Sequence, residues 1–140
     1  MKITAMLLAN AANSTGDGRI NLLGAGFDQW PRKQFPSKAE VTVFLRIEIL
    51  STEAGTHAIA LDLINGDGQE VIPRIQGMFT IPSGPPFYRY LNLTYNLRFE
   101  FPSPGEYSFR AVINGRDESS CPIRAVLIPA ESVSEPPPQN

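Results

Sequence analysis

The segment Leu91–Phe101 reads LNLTYNLRFEF. Leu91, Leu93, Tyr95, Leu97, Phe99 and Phe101 alternate with Asn92, Thr94, Asn96, Arg98 and Glu100. Successive side chains of a strand point to opposite faces, so this run is a β-strand with one face buried and one in water. A helix would scatter the same residues around its axis. Such a strand must bury its apolar face against a second layer. The rest of the chain repeats the pattern. Val41, Val43, Leu45, Ile47 and Ile49 mark one face of a long strand, with Thr42, Phe44, Arg46, Glu48 and Leu50 on the other. Ile59, Leu61 and Leu63 alternate again, and Asn65-Gly66-Asp67-Gly68 turns the chain toward a strand beginning near Glu70. Ile75–Ile81, Glu106–Asn114 and Cys121–Ile128 complete the set. No segment keeps a helical period. The expected fold is all-β, an immunoglobulin-like antiparallel β-sandwich of eight or nine strands over residues 1–129.

The chain begins MKITAMLLANAANSTGDGRINLLGAG, which has the outline of an export signal: a lysine, an apolar run and Ala9-Asn10-Ala11. The run Ile3–Ala9 is short and contains Thr4, and Asn13–Gly18 is dense in turn formers before Arg19–Leu23 resumes an apolar pattern. Strand, polar turn, strand is a hairpin signature. Ile3–Ala9 therefore reads as the first strand, pairing with Arg19–Leu23 and supplying Ile3, Leu7 and either Met6 or Leu8 to the core. A cytoplasmic location is expected.

Composition removes several functions. Twelve basic against fourteen acidic side chains give a net charge of −2, the wrong balance for nucleic acid. No apolar run reaches the ~18 residues of a membrane helix. With one cysteine, Cys121, no internal disulfide is possible. His57, the one histidine, follows a polar stretch and reads as an exposed loop residue, which leaves no triad or zinc set. Cys121 reads as a small structural residue, and Gly24-Ala25-Gly26 as a bulge or close strand packing. Asn65, Asp67, Glu70, Asp17 and Asp28 offer scattered oxygens, too few carboxylates in one place for calcium. No enzyme, metal or cofactor is expected.

Pro102–Phe109 narrows the fold. In immunoglobulin-like sandwiches a tyrosine near the start of a late strand returns its hydroxyl to nearby backbone, two residues before a core position. Tyr107 fits the tyrosine, Phe109 the core position, and Gly105 the sharp approach. The segments Ala5–Ala12, Gly18–Asp28 and Pro104–Phe109 also resemble a family of small uncharacterised bacterial and phage proteins. Its pattern runs AMLADAA, then GKLxLLGGGxD, then PGxYxF. Asn10 stands where that pattern has Asp, and Arg19 where it has Lys, so no role for the acid carries over. The resemblance implies the sandwich and a bacterial or phage origin, and it implies no activity.

Two loops carry the candidate binding residues. Asp28–Pro36 holds Trp30, Arg32, Lys33 and Phe35; Pro82–Tyr90 holds Phe87, Tyr88, Arg89 and Tyr90. Aromatic and arginine residues on proline-stiffened loops are the composition of interaction surfaces. The same rings would serve equally to close the open ends of a sandwich. Residues 130–140, rich in Pro, Ser and Glu, read as a flexible tail with a short polyproline II segment. The expected function is a non-enzymatic binding or assembly module acting on a protein partner or on itself as a homo-oligomer. The alternative is a small-ligand or carbohydrate-binding module using Trp30, Tyr88 or Tyr90 as platforms.

Overall fold

The computed structural model describes residues 1–129; the tail expected at 130–140 lies outside them. Ten strands and one 3₁₀ turn, Ser51–Glu53, occur among these residues. The strands are β1 (Lys2–Ala9), β2 (Ala11–Ser14), β3 (Ile20–Leu23), β4 (Gln29–Arg32), β5 (Ser37–Glu48), β6 (Gly55–Asn65), β7 (Ile75–Ile81), β8 (Tyr90–Phe101), β9 (Gly105–Ile113) and β10 (Asp117–Leu127). They form a three-stranded sheet, β1-β5-β8, a five-stranded sheet, β4-β10-β9-β6-β7, and the hairpin β2-β3. The two larger sheets enclose the core, as the alternation requires. Val41, Val43, Leu45 and Ile47 of β5 are fully buried, as are Leu63 of β6, Phe101 of β8, Phe109 and Ile113 of β9, and Ile123 of β10.

Several expectations about individual strands are corrected. The Asn13–Gly18 turn exists, but the strand entering it is Ala11–Ser14; β1 pairs with β5 instead of β3. A register shift between Ile3 and Ala5 moves the alternation by one residue. Ile3, Met6 and Leu8 therefore pack on the core, and Leu7 is 39% exposed. The turn at Asn65–Gly68 leads to a single bridge, Ile64 to Glu70, and the ladder with β6 begins only at Ile75. Asn65 Oδ1 accepts from the amides of Asp67 and Gln69, each at 3.0 Å, so that oxygen is committed to the turn. The last strand begins at Asp117, not Cys121. Part of the Asp28–Pro36 loop is itself a strand: β4 pairs in parallel with β10, Gln29 opposite Arg124.

Close packing is seen at one of the two glycines after β3. Gly24 has φ +62°, which favours glycine, and a β-carbon there would lie 2.4 Å from Asn10 Nδ2; Gly26 has φ +94° and nothing within 4 Å, so its need for glycine is one of backbone alone. The tyrosine corner is formed as expected. Tyr107 is buried and its hydroxyl donates to the Ser103 carbonyl at 2.7 Å, while Phe109 is wholly enclosed and touches Phe99 edge-on.

Candidate functional site

Whether the two aromatic loops form one surface is decided by the β5–β8 ladder. Ser37 pairs with Phe101 and Glu48 with Tyr90, without a break between. The Asp28–Pro36 loop feeds the first end of β5, and the Pro82–Tyr90 loop feeds the other. Twelve strand residues at a rise of about 3.3 Å separate them by roughly 36 Å. They lie at opposite ends of the sandwich and do not form one surface.

At the first end, Trp30 and Phe35 are half-buried and pack against the core. The Trp30 ring is 6.2 Å from both Phe27 and Phe101, and the Arg32 guanidinium sits 4.0 Å over it. β4 makes this arrangement by laying the segment against β10. Trp30 and Phe35 thus close the end of the sandwich, and Arg32 covers the closure. Trp30 Nε1 is buried without a hydrogen-bond partner. A broad groove outside this closure is lined by Arg32, Lys33 and Lys38, with Glu100 opposite.

The second end differs. Phe87 is 64% and Tyr88 54% exposed, and Arg89 faces water. Tyr90 is half-buried on the outer face of β8, with the Arg46 guanidinium 3.6 Å over its ring and Arg89 at 5.7 Å. Beside them lies a groove of ≈ 390 Å³. Its floor is Ile49, Ile81 and Leu91, and its walls are Tyr88, Tyr90 and the tip of the β2-β3 hairpin at Gly16–Gly18. Asn92 ties that tip down, Nδ2 donating to the Gly18 carbonyl at 3.0 Å, and its Oδ1 is left buried without a donor. At the tip, the Arg19 guanidinium and the Thr15 hydroxyl hold the Asp17 carboxyl down to about 2. The groove therefore offers an apolar floor and an aromatic wall. That chemistry suits an apolar or aromatic side chain, or a ring.

The residues set aside by sequence take structural places. His57 is half-buried within β6, not exposed on a loop. Its Nε2 donates to the Glu53 carbonyl at 2.6 Å, Nδ1 accepts from Asn114 Nδ2 at 2.9 Å, and the ring stacks on Phe79. Cys121 is half-buried opposite Phe109, and burial, helped by the nearby Asp28 charge, pushes its thiol up. Among the described residues no group of three His, Cys, Asp or Glu side chains is placed to hold a metal, and no helix is long and apolar enough to cross a membrane. One cluster escaped the sequence reading. Asp62 is 2% exposed on the outer face of β6, bonded to Arg110 Nη2 at 2.7 Å and Nε at 3.2 Å, with Arg74 Nε at 3.4 Å. Hydrogen bonding to Asp62 and its charge push the Arg110 guanidinium up. The cross-strand pairing of Asp62 with Arg110 comes from the β6–β9 register, which no local pattern displays.

The model of a family of unknown function (DUF6941) matches residues 4–126, nearly the whole sandwich, and the chain belongs to that family. No curated protein and no solved structure matches the chain significantly.

Proposed function

We propose that this member of a family of unknown function is a non-enzymatic binding module that engages a protein partner through the Pro82–Tyr90 end of the sandwich. The observation that carries the reading is the exposure of Phe87 and Tyr88, two large rings held out on a proline-rich loop beside an apolar groove. Rings that merely closed the core would be half-buried, as Trp30 and Phe35 are. Exposed aromatic anchors flanked by arginine and set beside a pocket are the pattern of interface hot spots. The experiment is affinity capture from the native host with wild type and with Tyr88→Ala combined with Arg89→Ala, alongside Trp30→Ala. The loop variant should lose the captured partner while its melting temperature stays within a few degrees of wild type. Capture that is unchanged in the loop variant refutes the reading.

A second reading is favoured by the lining of the groove, where Tyr88 and Tyr90 stand beside apolar Ile49, Ile81 and Leu91. A small ligand or sugar would stack on those rings. Calorimetric titration with small sugars separates the two: saturable heat supports the ligand reading, and its absence leaves the protein partner. The immunoglobulin-like assignment belongs to this proposal. It is supported by the Tyr107 corner and by the sheet order, in which β10-β9-β6-β7 facing β1-β5-β8 corresponds to strands G-F-C-C′ facing A-B-E. A cytoplasmic location and a bacterial or phage origin are part of the same reading. The first draws support from the packing of Ile3, Met6 and Leu8 on the core, which gives the N-terminal segment a structural use.

A further inference from the structure

The order β1-β5-β8 ends on β8, and among the described residues no strand pairs with its other side. An immunoglobulin-like sandwich carries a fourth strand at this position, between C′ and E in the chain. Here the connection from Ile81 to Tyr90 forms no strand. What remains among the described residues is a long unpaired edge, and the strand itself lacks the usual protections. Residues 90–101 contain no proline, and their pairing with β5 runs through twelve successive pairs without a bulge. No charged residue on it points inward: Arg98 and Glu100, its two charges, lie on the outer face and have opposite signs. Natural sheets blunt such edges with lysine, proline, bulges or cover, because an unblunted one pairs with another chain.

The backbone of this edge is available in a defined way. Ile49 N donates to the Arg89 carbonyl at 2.8 Å, directly beside the Glu48–Tyr90 pair. Antiparallel pairs alternate between bonded and non-bonded, so the odd residues 91–101 bond to β5. The even residues Tyr90, Asn92, Thr94, Asn96, Arg98 and Glu100 direct their amides and carbonyls away from it. The hairpin tip is tied to Asn92, which leaves Leu93–Phe101 as the open stretch.

We propose that this edge pairs with β8 of a second copy of the chain, antiparallel about a twofold axis at Leu97, to give one six-stranded sheet, β1-β5-β8-β8-β5-β1. The strand is self-complementary in that register. On the inner face Tyr95 meets the partner copy's Phe99, and Leu93 meets its Phe101. The half-buried end of each strand, Leu93 and Tyr95, is thereby covered by the aromatic end of the other. On the outer face Asn96 meets Arg98 and Thr94 meets Glu100, so no like charges are opposed. The proposal is independent of the binding end at Tyr88.

The test is sedimentation equilibrium of the full chain across concentrations up to about 0.5 mM, where even a weak interface is populated. Wild type should be a dimer in reversible exchange with monomer. Thr94→Pro removes only an edge-facing amide and should leave a folded monomer. Because proline in a strand can also unfold the chain, two charge variants at the exposed Thr94 carry the test further. Thr94→Glu, opposite the partner copy's Glu100, should weaken the dimer about 2- to 30-fold, and Thr94→Arg should tighten it by a comparable factor. Thr94→Glu with Glu100→Arg should restore it. Tyr88→Ala with Arg89→Ala should leave it unchanged. A wild-type chain that stays monomeric throughout overturns the proposal and leaves the edge to an unlike partner. A dimer indifferent to every Thr94 variant overturns it as well.

Discussion

Truncating Trp30 to alanine should unfold the protein at markedly lower temperature, whereas truncating Tyr88 should not. The difference is worked from the two environments. A fully buried tryptophan costs about 3–5 kcal/mol when reduced to alanine. Trp30 is half-buried, yet its ring packs 6.2 Å from both Phe27 and Phe101, and Phe101 is fully buried. About 2–3 kcal/mol is then expected. Part of the loss is offset because the buried Nε1–H, which has no partner, is removed with the ring. For a domain of this size each kcal/mol moves the midpoint by about 3–5 °C, so Trp30→Ala should melt roughly 6–15 °C below wild type. Tyr88 is 54% exposed, and its truncation should stay within about 0.5 kcal/mol, or ~2 °C. Trp30→Phe is the control: it keeps the ring stack, removes the unpaired donor, and should fall within about 1 kcal/mol of wild type. The assay is scanning calorimetry of the three variants at one protein concentration. Trp30→Ala melting within ~2 °C of wild type would refute the closure role and return the first loop to the binding account.

Tyr107→Phe should cost about 1–2 kcal/mol by urea denaturation, since the hydroxyl bond to Ser103 is buried, and Phe109→Ala about 3–5 kcal/mol as a core cavity. Arg110→Ala should cost about 1–3 kcal/mol, below the usual figure for breaking a buried pair because Arg110 is partly solvated and Arg74 remains beside Asp62; a neutral result would mean Arg74 alone satisfies the carboxylate. Burial raises the Glu53 carboxyl, but bonds from the N-terminal ammonium and the Leu50 amide outweigh it and hold the group below its ordinary 4.5. Its contribution is therefore complete above pH 4.5 and lost as pH falls through the lowered folded value. Glu53→Gln should flatten the acid limb of a melting-temperature profile, and an unchanged limb would show that other carboxylates set it.

Sequence by itself determined the layer architecture. Alternation in LNLTYNLRFEF and in the Val41–Ile49 run is a property of one strand, and burial of Val41, Leu45, Leu97 and Phe101 follows from it. The tyrosine corner was legible for the same reason: Gly105, Tyr107 and Phe109 lie within five residues, and the bond from Tyr107 reaches back only to Ser103. The candidate binding residues were nameable as types, since aromatic and basic side chains on proline-rich loops stand out in composition. Their roles were not legible. Trp30 and Tyr88 look alike in the chain, and only the β5–β8 register puts them at opposite ends, with β4 pressing one against the core while the other stays in water. Tertiary pairing likewise decided that β1 joins β5, that a shift after Ile3 turns Leu7 outward, that Asp62 meets Arg110 across 48 residues, and that β8 is left at an edge. The physical reason is common to all of these. A period-two pattern fixes which face of a strand is apolar, but it carries no information about which strand lies alongside. That choice is set by long-range backbone pairing and by the fit of the assembled core.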